Sequence, residues 1–282
     1  MTDIVYLNGD LVAKHSAKIS VLDRGFLFAD GVYEVIPVYN STPFRLKQHL
    51  TRLNHCLEQL EIPRPHSDIE WKNIICTLIE RNGGGNLAIY LQITRGISKE
   101  RNHLLDADMT PTVLLMASKL TVAEENIHSI TATLLSDIRW HHCDIKSIAL
   151  LGNIMLSNKA RQLGHDEAIL HRDGLVTEGA ASNVFMVKHR EVFTPPQNQL
   201  ILGGITRDVI IELAEGSGLK VHQQDIHIDQ LLSADEVWIS SSSREISPIS
   251  QIDDKIIGSG TIGPVANALH SEFQAFKKTL IN

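Results

Sequence analysis

Two consecutive hairpins set the terms for the second half of this chain. Asp166–His171 and Leu175–Thr177 are short runs with apolar residues on either side of Arg172-Asp173-Gly174, a turn sequence. Asn183–Lys188 and Glu191–Thr194 form a second such pair directly afterwards. A tight turn joins antiparallel neighbours, because parallel strands need a crossover of roughly a dozen residues. The same punctuation opens the chain, where Val5-Tyr6-Leu7 and Asp10-Leu11-Val12 flank Asn8-Gly9. These segments argue against a doubly wound parallel sheet.

Helical spacing alternates with these strands. Leu46, Leu50, Leu53, Leu57 and Leu60 recur every three or four residues and predict an amphipathic helix over 45–61. A second helix is expected over 68–82, stopped by Gly83-Gly84-Gly85. Val32–Tyr39, Leu87–Thr94 and Thr112–Ser118 read as strands. Beyond them come a strand at Thr131–Ser136 and a helix over 148–163 that ends at Gly164. A helix follows from Thr206 to about Gly216, and a buried strand, Val237–Ser240, runs out into Ser241-Ser242-Ser243. The last helix is expected over 261–279. The fold class is therefore α/β in the mixed, α+β sense, with two domains built on largely antiparallel sheets. We expect an N-terminal domain over 1–118 and a C-terminal domain over 127–282. The polar, then acidic, stretch 119–126 is the expected linker.

Composition excludes several classes. The 282 residues are 43% hydrophobic, which is enough apolar material to fill two cores. Basic residues are scattered, aromatics make up only 5% and the net charge is −7, so no nucleic-acid surface is expected. Three cysteines at long spacings, Cys56, Cys76 and Cys143, make neither a disulfide framework nor a metal site. A reducing cytoplasm is the expected compartment. Met1-Thr2-Asp3-Ile4 has none of the charged and apolar character of a signal peptide, and no apolar run is long enough for a membrane helix.

The chemistry concentrates in three places. Lys146 stands in Cys143-Asp144-Ile145-Lys146-Ser147, just before an apolar helix. Glu178 follows the first hairpin and opens Glu178-Gly179-Ala180-Ala181-Ser182-Asn183. Leu202-Gly203-Gly204-Ile205-Thr206-Arg207 leads into a helix. Pyridoxal phosphate needs a lysine for its aldehyde, a carboxylate to keep its pyridine nitrogen protonated, and backbone N–H groups at a helix start for its phosphate. The Thr206 hydroxyl is the expected cap of that helix.

In order and spacing, the span from Glu178 to Arg207 resembles the class IV aminotransferases, and the likeness extends over nearly the whole chain. The resemblance implies the fold type IV architecture, with the cofactor between two domains. It implies that Lys146 is the Schiff-base lysine and Glu178 the pyridine partner. It implies phosphate ligands at Gly204, Ile205, Thr206, Ser241 and Ser242, with Arg52, in His49-Leu50-Thr51-Arg52-Leu53, also on the phosphate. Arg139, in Asp137-Ile138-Arg139-Trp140, is expected on the side of the cofactor's phenolic oxygen. Within the family, Arg101-Asn102-His103 resembles the carboxylate clamp of the D-amino acid branch. That clamp sets Tyr33 against Arg101 and His103, the latter two lent across a homodimer interface. The expected substrates are amino acids and 2-oxo acids, D-alanine and 2-oxoglutarate among them. The stretch from Gly96 to Arg101 is one residue longer than that branch has, and Ala180 and Ala181 replace serines. Branched-chain L-amino acid aminotransferases and aminodeoxychorismate lyases are the alternatives in the same family.

Overall fold

The opening turn shows how local chemistry starts the architecture. Asn8 and Gly9 both take positive φ, 51° and 106°. That is the conformation a two-residue hairpin needs, and these are residue types that tolerate it. The strands they join are β1 (Ile4–Leu7) and β2 (Asp10–Ala13). In a computed structural model describing residues 3–121 and 127–279, the chain forms two compact units. One contains residues 3–121 with Ile145–Ala149; the other contains 127–144 and 150–279. Part of the expected linker, 122–126, lies outside the described residues.

The first unit continues with helix α1 (Arg24–Phe28), β3 (Gly31–Tyr39), β4 (Thr42–Pro43), α2 (Leu46–Gln59), α3 (Asp68–Arg81), β5 (Leu87–Thr94) and β6 (Thr112–Lys119). Its strands lie in the order β2-β1-β6-β5-β3-β4, every pair antiparallel. The leucine stripe of α2 lands as expected: Leu50, Leu53 and Leu57 are buried, and Leu46 and Leu60 pack at the edge of the same core. Helix α3 begins at a reciprocal cap, in which Ser67 and Glu70 satisfy each other's end groups. It buries Trp71, Ile75 and Leu78 against Ile36, Ile89 and Leu91 of the sheet.

The second unit contains β7 (Ile130–Ser136), α4 (Leu151–Gln162), β8 (Glu167–Arg172), β9 (Leu175–Gly179), β10 (Asn183–Lys188), β11 (Glu191–Thr194) and α5 (Ile205–Gly216). It ends with β12 (Val221–Gln223), α6 (Ile228–Leu232), β13 (Glu236–Ser241), β14 (Glu245–Ile252), β15 (Lys255–Ile256) and α7 (Pro264–Thr279). Its strand order is β12-β11-β10-β13-β14-β7-β8-β9, with β15 beside β14. The pairs β11–β12, β14–β7 and β7–β8 are parallel and the rest antiparallel. The mixed two-domain class read from the sequence is the class observed.

Several boundaries differ from expectation, each for a physical reason. Helix α4 starts at Leu151, not 148, because Ser147 pairs with Val32 and the Ile148 N–H donates to the Gly31 carbonyl at 3.0 Å. That extended pairing is incompatible with helical φ and ψ. Helix α5 begins at Ile205 with Gly204 as its cap, so Thr206 is already inside the first turn. Helix α7 starts at Pro264, where a fixed φ suits a first turn. Strand β14 has no counterpart among the expected strands, because Ser247, Pro248 and Ser250 break its apolar pattern.

Ile75 is fully buried between α3 and the first sheet. Ile75→Ala is expected to lower unfolding free energy by about 2–5 kcal/mol, read by urea denaturation.

Candidate active site

The first unit gathers its polar chemistry where β3, α2 and the Ile145–Ala149 segment meet. Alternation along β3 sends Tyr33 and Glu34 to opposite faces. On the core side, the fully buried Glu34 carboxylate takes a two-pronged grip from Arg52: Nε to Oε1 and Nη2 to Oε2, both 2.7 Å. His49, one helical turn earlier on α2, places Nδ1 2.7 Å from Glu34 Oε2. Burial alone would raise the Glu34 carboxyl, but the Arg52 charge and its hydrogen bonds hold it far below the usual carboxylate range. Burial pushes the His49 imidazole the other way, below its ordinary value, against the pull of Glu34. Arg52 is therefore part of a buried ion pair rather than a solvated arginine.

The Lys146 backbone is locked to β3 and α2. The Tyr33 N–H donates to the Lys146 carbonyl at 3.0 Å, and the Lys146 N–H donates to Cys56 Sγ at 3.3 Å. Ile145 anchors the segment in the first core. The Lys146 amine lies 4.3 Å from the centre of the Tyr33 ring, within cation–π range. The structure thus brings two expected site residues, Lys146 and Tyr33, into contact. Arg52 is linked to them through Glu34, the chain neighbour of Tyr33.

Arg101 and His103 form a separate group. Both are exposed and converge on Phe28: the Arg101 guanidinium is 5.2 Å from that ring's centre, and the ring centres of His103 and Phe28 are 5.3 Å apart. Their loop is pinned by buried Arg24, which donates to the carbonyls of Asn102 at 2.7 Å and His103 at 3.3 Å. Arg24 and Arg95 share Asp30 Oδ2, each at 2.8 Å. Gly96, at φ 106°, admits no side chain, since a Cβ there would collide with the Thr110 carbonyl oxygen. The loop is thus a constructed platform.

The second unit holds a buried chain of charges. Asp137, just past the end of β7, accepts from Arg139 Nε at 2.9 Å and Nη2 at 2.8 Å, from Arg172 at 3.3 Å and from the Thr177 hydroxyl at 3.2 Å. Arg139 Nη1 then reaches Glu178 Oε1 at 2.6 Å. Glu178 Oε2 accepts from the Leu202 N–H at 3.0 Å and from Asn183 at 3.3 Å. Burial raises the Glu178 carboxyl, and Arg139 works against that rise. Burial would also raise Asp137, yet the Arg139 hydrogen bonds and charge bring it down to about 2. Arg139, expected beside a phenolic oxygen, is engaged with these two carboxylates.

Of the expected phosphate ligands, Gly204, Ile205 and Thr206 lie at the start of α5, and Ser241 and Ser242 lie at and just past the end of β13. The cap of α5, Gly204, has no side chain to satisfy the first amides, and a Cβ there would collide with Asn183 Oδ1. A twelve-residue helix with uncapped N–H groups favours an anion at that end. Thr206 is buried beside it. Strand β13 ends in Ser240, whose fully buried hydroxyl has no partner among the described residues, and in Ser241, whose hydroxyl oxygen accepts from the Arg244 N–H at 3.2 Å. Ser242 follows in the turn. A carboxylate held by a fixed cation, an uncapped helix start and an unpaired hydroxyl are a donor and acceptor set suited to a phosphorylated pyridine. Glu34, His49, Asp137, Asn183 and Ser240 are not among the site residues expected from sequence. The one-turn spacing of His49 and Arg52 is the available signal for the first pair.

Residues 31–252 match the family described as amino-transferase class IV. This chain belongs to the class IV aminotransferases. The aminotransferase is 39% identical over 271 residues to a D-alanine aminotransferase of Bacillus licheniformis, covering 96% of this chain and 95% of the relative. It is 34% identical over 273 residues to one of Staphylococcus haemolyticus, covering 96% and 97%. Among solved structures it resembles the Escherichia coli branched-chain amino acid aminotransferase, with TM-score 0.92, 27% identity, and coverage of 100% and 97%. It also resembles the T.th. branched-chain enzyme complexed with N-(5'-phosphopyridoxyl)-L-glutamate, with TM-score 0.91, 27% identity, and coverage of 99% and 95%.

Because its folded-state value of about 2 lies below the ordinary 3.8, Asp137 adds stability above pH 3.8 and loses it as pH falls through that interval. Asp137→Asn should lower stability at neutral pH and flatten the acid limb of a denaturation-midpoint profile. An acid limb as steep as wild type would contradict the assignment.

Proposed function

We propose that this enzyme transfers the amino group of D-amino acids, with D-alanine and 2-oxoglutarate giving pyruvate and D-glutamate. The observation that carries the handedness is the Arg101–His103 platform, in a chain 39% identical to a D-alanine aminotransferase over 96% of its length. Two cationic or donor side chains on a pinned loop suit a substrate carboxylate. The enzyme is a transaminase dependent on pyridoxal phosphate. When bound, that cofactor supplies the electron sink that makes loss of the α-proton feasible.

The chain's own groups divide the remaining work. Lys146 would hold the cofactor's carbonyl carbon and, as the free amine, would carry the α-proton. The Tyr33 ring under its Nζ keeps the amine in one place. Glu178 would hold the pyridine nitrogen, with its carboxylate kept in one orientation by Arg139, Asn183 and the Leu202 amide. Arg139 thus acts through Glu178. The N–H groups following Gly204, at Ile205 and Thr206, together with Ser241 and Ser242, would take the phosphate. Arg52, aligned by Glu34, is the further cation we propose for the phosphate.

We further propose that the working unit is a homodimer in which Arg101 and His103 serve the partner's site. The exposed apolar side chains of Phe26 and Leu104 flank that platform and suit burial against a second copy. The cytoplasm is the compartment we assign; the three cysteines are free thiols, which suits a reducing compartment. No helix among the described residues is long and apolar enough to cross a membrane. The structural likeness at 27% identity to branched-chain enzymes favours a second reading, transfer from L-leucine and its relatives.

Steady-state assays separate the two. D-alanine should be used far better than L-alanine or L-leucine. Arg101→Ala should raise KM for D-alanine and for 2-oxoglutarate by about tenfold or more, the range of one charge-assisted contact, while leaving the cofactor's absorbance spectrum unchanged. A preference for L-leucine would assign the enzyme to the branched-chain group.

A further inference from the structure

The turn that carries Ser241 and Ser242 is held in an uncommon conformation. Glu245, the first residue of β14 and the register partner of Ser241, has φ 55°. That left-handed region disfavours any residue with a Cβ and is ordinarily filled by glycine or asparagine. Glu245 is nevertheless buried, at 3% exposure. Its carboxylate is tied to the C-terminal helix: Oε1 accepts from Lys277 Nζ at 2.5 Å, and Oε2 accepts from Gln274 Nε2 at 2.6 Å. Lys277 is itself buried, and its amine lies 5.7 Å from the centre of the Phe273 ring. Gln274 and Lys277 are three residues apart on α7, so one helix face supplies both donors.

The turn is tied at a second point. The Arg244 N–H donates to Ser241 Oγ at 3.2 Å, and the Arg244 guanidinium reaches Glu167 on β8 at 3.1 Å. Two neighbouring residues thus anchor the serine turn to two different elements. Nothing in this arrangement serves the core alone, because a glycine at 245 would take the same φ without a buried charge pair. An ion pair removed from water is weak as a source of stability and well suited to fixing geometry.

We propose that Glu245, Lys277 and Gln274 are positioning residues: helix α7 sets the Ser241–Ser242 turn in the orientation that receives the cofactor's phosphate. This rests on the assignment of that turn to the phosphate. Breaking the tie lets Glu245 relax toward extended backbone, which moves the turn and the two serine hydroxyls with it. The effect is then confined to ligands that carry a phosphate.

The test compares dissociation constants of the cofactor-free full chain for pyridoxal phosphate and for pyridoxal, by equilibrium dialysis. Lys277→Met should weaken pyridoxal phosphate by about tenfold, the equivalent of one lost hydrogen bond, and leave pyridoxal unchanged. The double variant Glu245→Gln with Lys277→Met keeps the shapes, leaves no buried charge, and should show the same selective loss if the single variant does not fold. Equal weakening of both ligands, or no change in either, overturns the proposal. Ser241→Ala with Ser242→Ala separates the role of the turn from the role of the helix. If that variant keeps the wild-type preference for pyridoxal phosphate over pyridoxal, the phosphate assignment of the turn fails. If it loses the preference while the Lys277 variants keep it, only the role of α7 fails.

Discussion

The pairing of Ile145–Ala149 with β3 is the constraint on which the first unit's polar cluster depends. Backbone hydrogen bonds from Tyr33 to Lys146 and from Ile148 to Gly31 fix this segment beside β3 around a single bridge at Ser147. It fixes where the Lys146 side chain starts, and the Tyr33 ring then defines where its amine ends. Because strand neighbours face opposite ways, the residue after Tyr33 must point into the core. That residue is a glutamate, which a core accepts only with partners. Arg52 and His49 of α2 are those partners. One local pairing thus dictates the position of the lysine, the presence of a buried carboxylate and the direction of a buried arginine.

The second unit solves an equivalent problem with a longer chain of charges. Glu178 is buried near the end of β9, where an isolated carboxylate would protonate. Arg139 supplies the opposing charge, and Asp137 fixes Arg139 from behind through two of its guanidinium nitrogens. Arg172 and Thr177 add donors to Asp137, so the network ends in satisfied groups. Its worth lies in orientation. A carboxylate gripped by a guanidinium, an amide side chain and a backbone N–H has no freedom to turn away from an incoming cation.

Sequence is legible here wherever a periodic signal decides structure. The Leu50, Leu53 and Leu57 stripe is enough to place α2, and the Asp173-Gly174 turn is enough to place the β8–β9 hairpin. Differences fall where tertiary pairing overrides local preference, as at Ile148, which is drawn into an extended bridge just where helical spacing begins. Strand β14 hides because Pro248 and its serines lie within an otherwise apolar strand. Glu178, Lys146 and Tyr33 stand out through their neighbours in the chain. Glu34, His49 and Asp137 do not, because their meaning lies in partners on another element: His49 is 15 residues from Glu34, and Asp137 acts on Glu178 only through Arg139. Thr206 is expected at the cap and lies inside the first turn, since only the backbone reveals Gly204 as the cap.

The proposed role of Lys146, the residue through which the cofactor is held, bears the most weight. Reduction of the loaded enzyme with borohydride, followed by proteolysis and mass spectrometry, tests it directly. A single phosphopyridoxyl modification is expected, on the peptide containing Lys146. A modification on any other lysine, or none on a protein that carries the cofactor in stoichiometric amount, would contradict it.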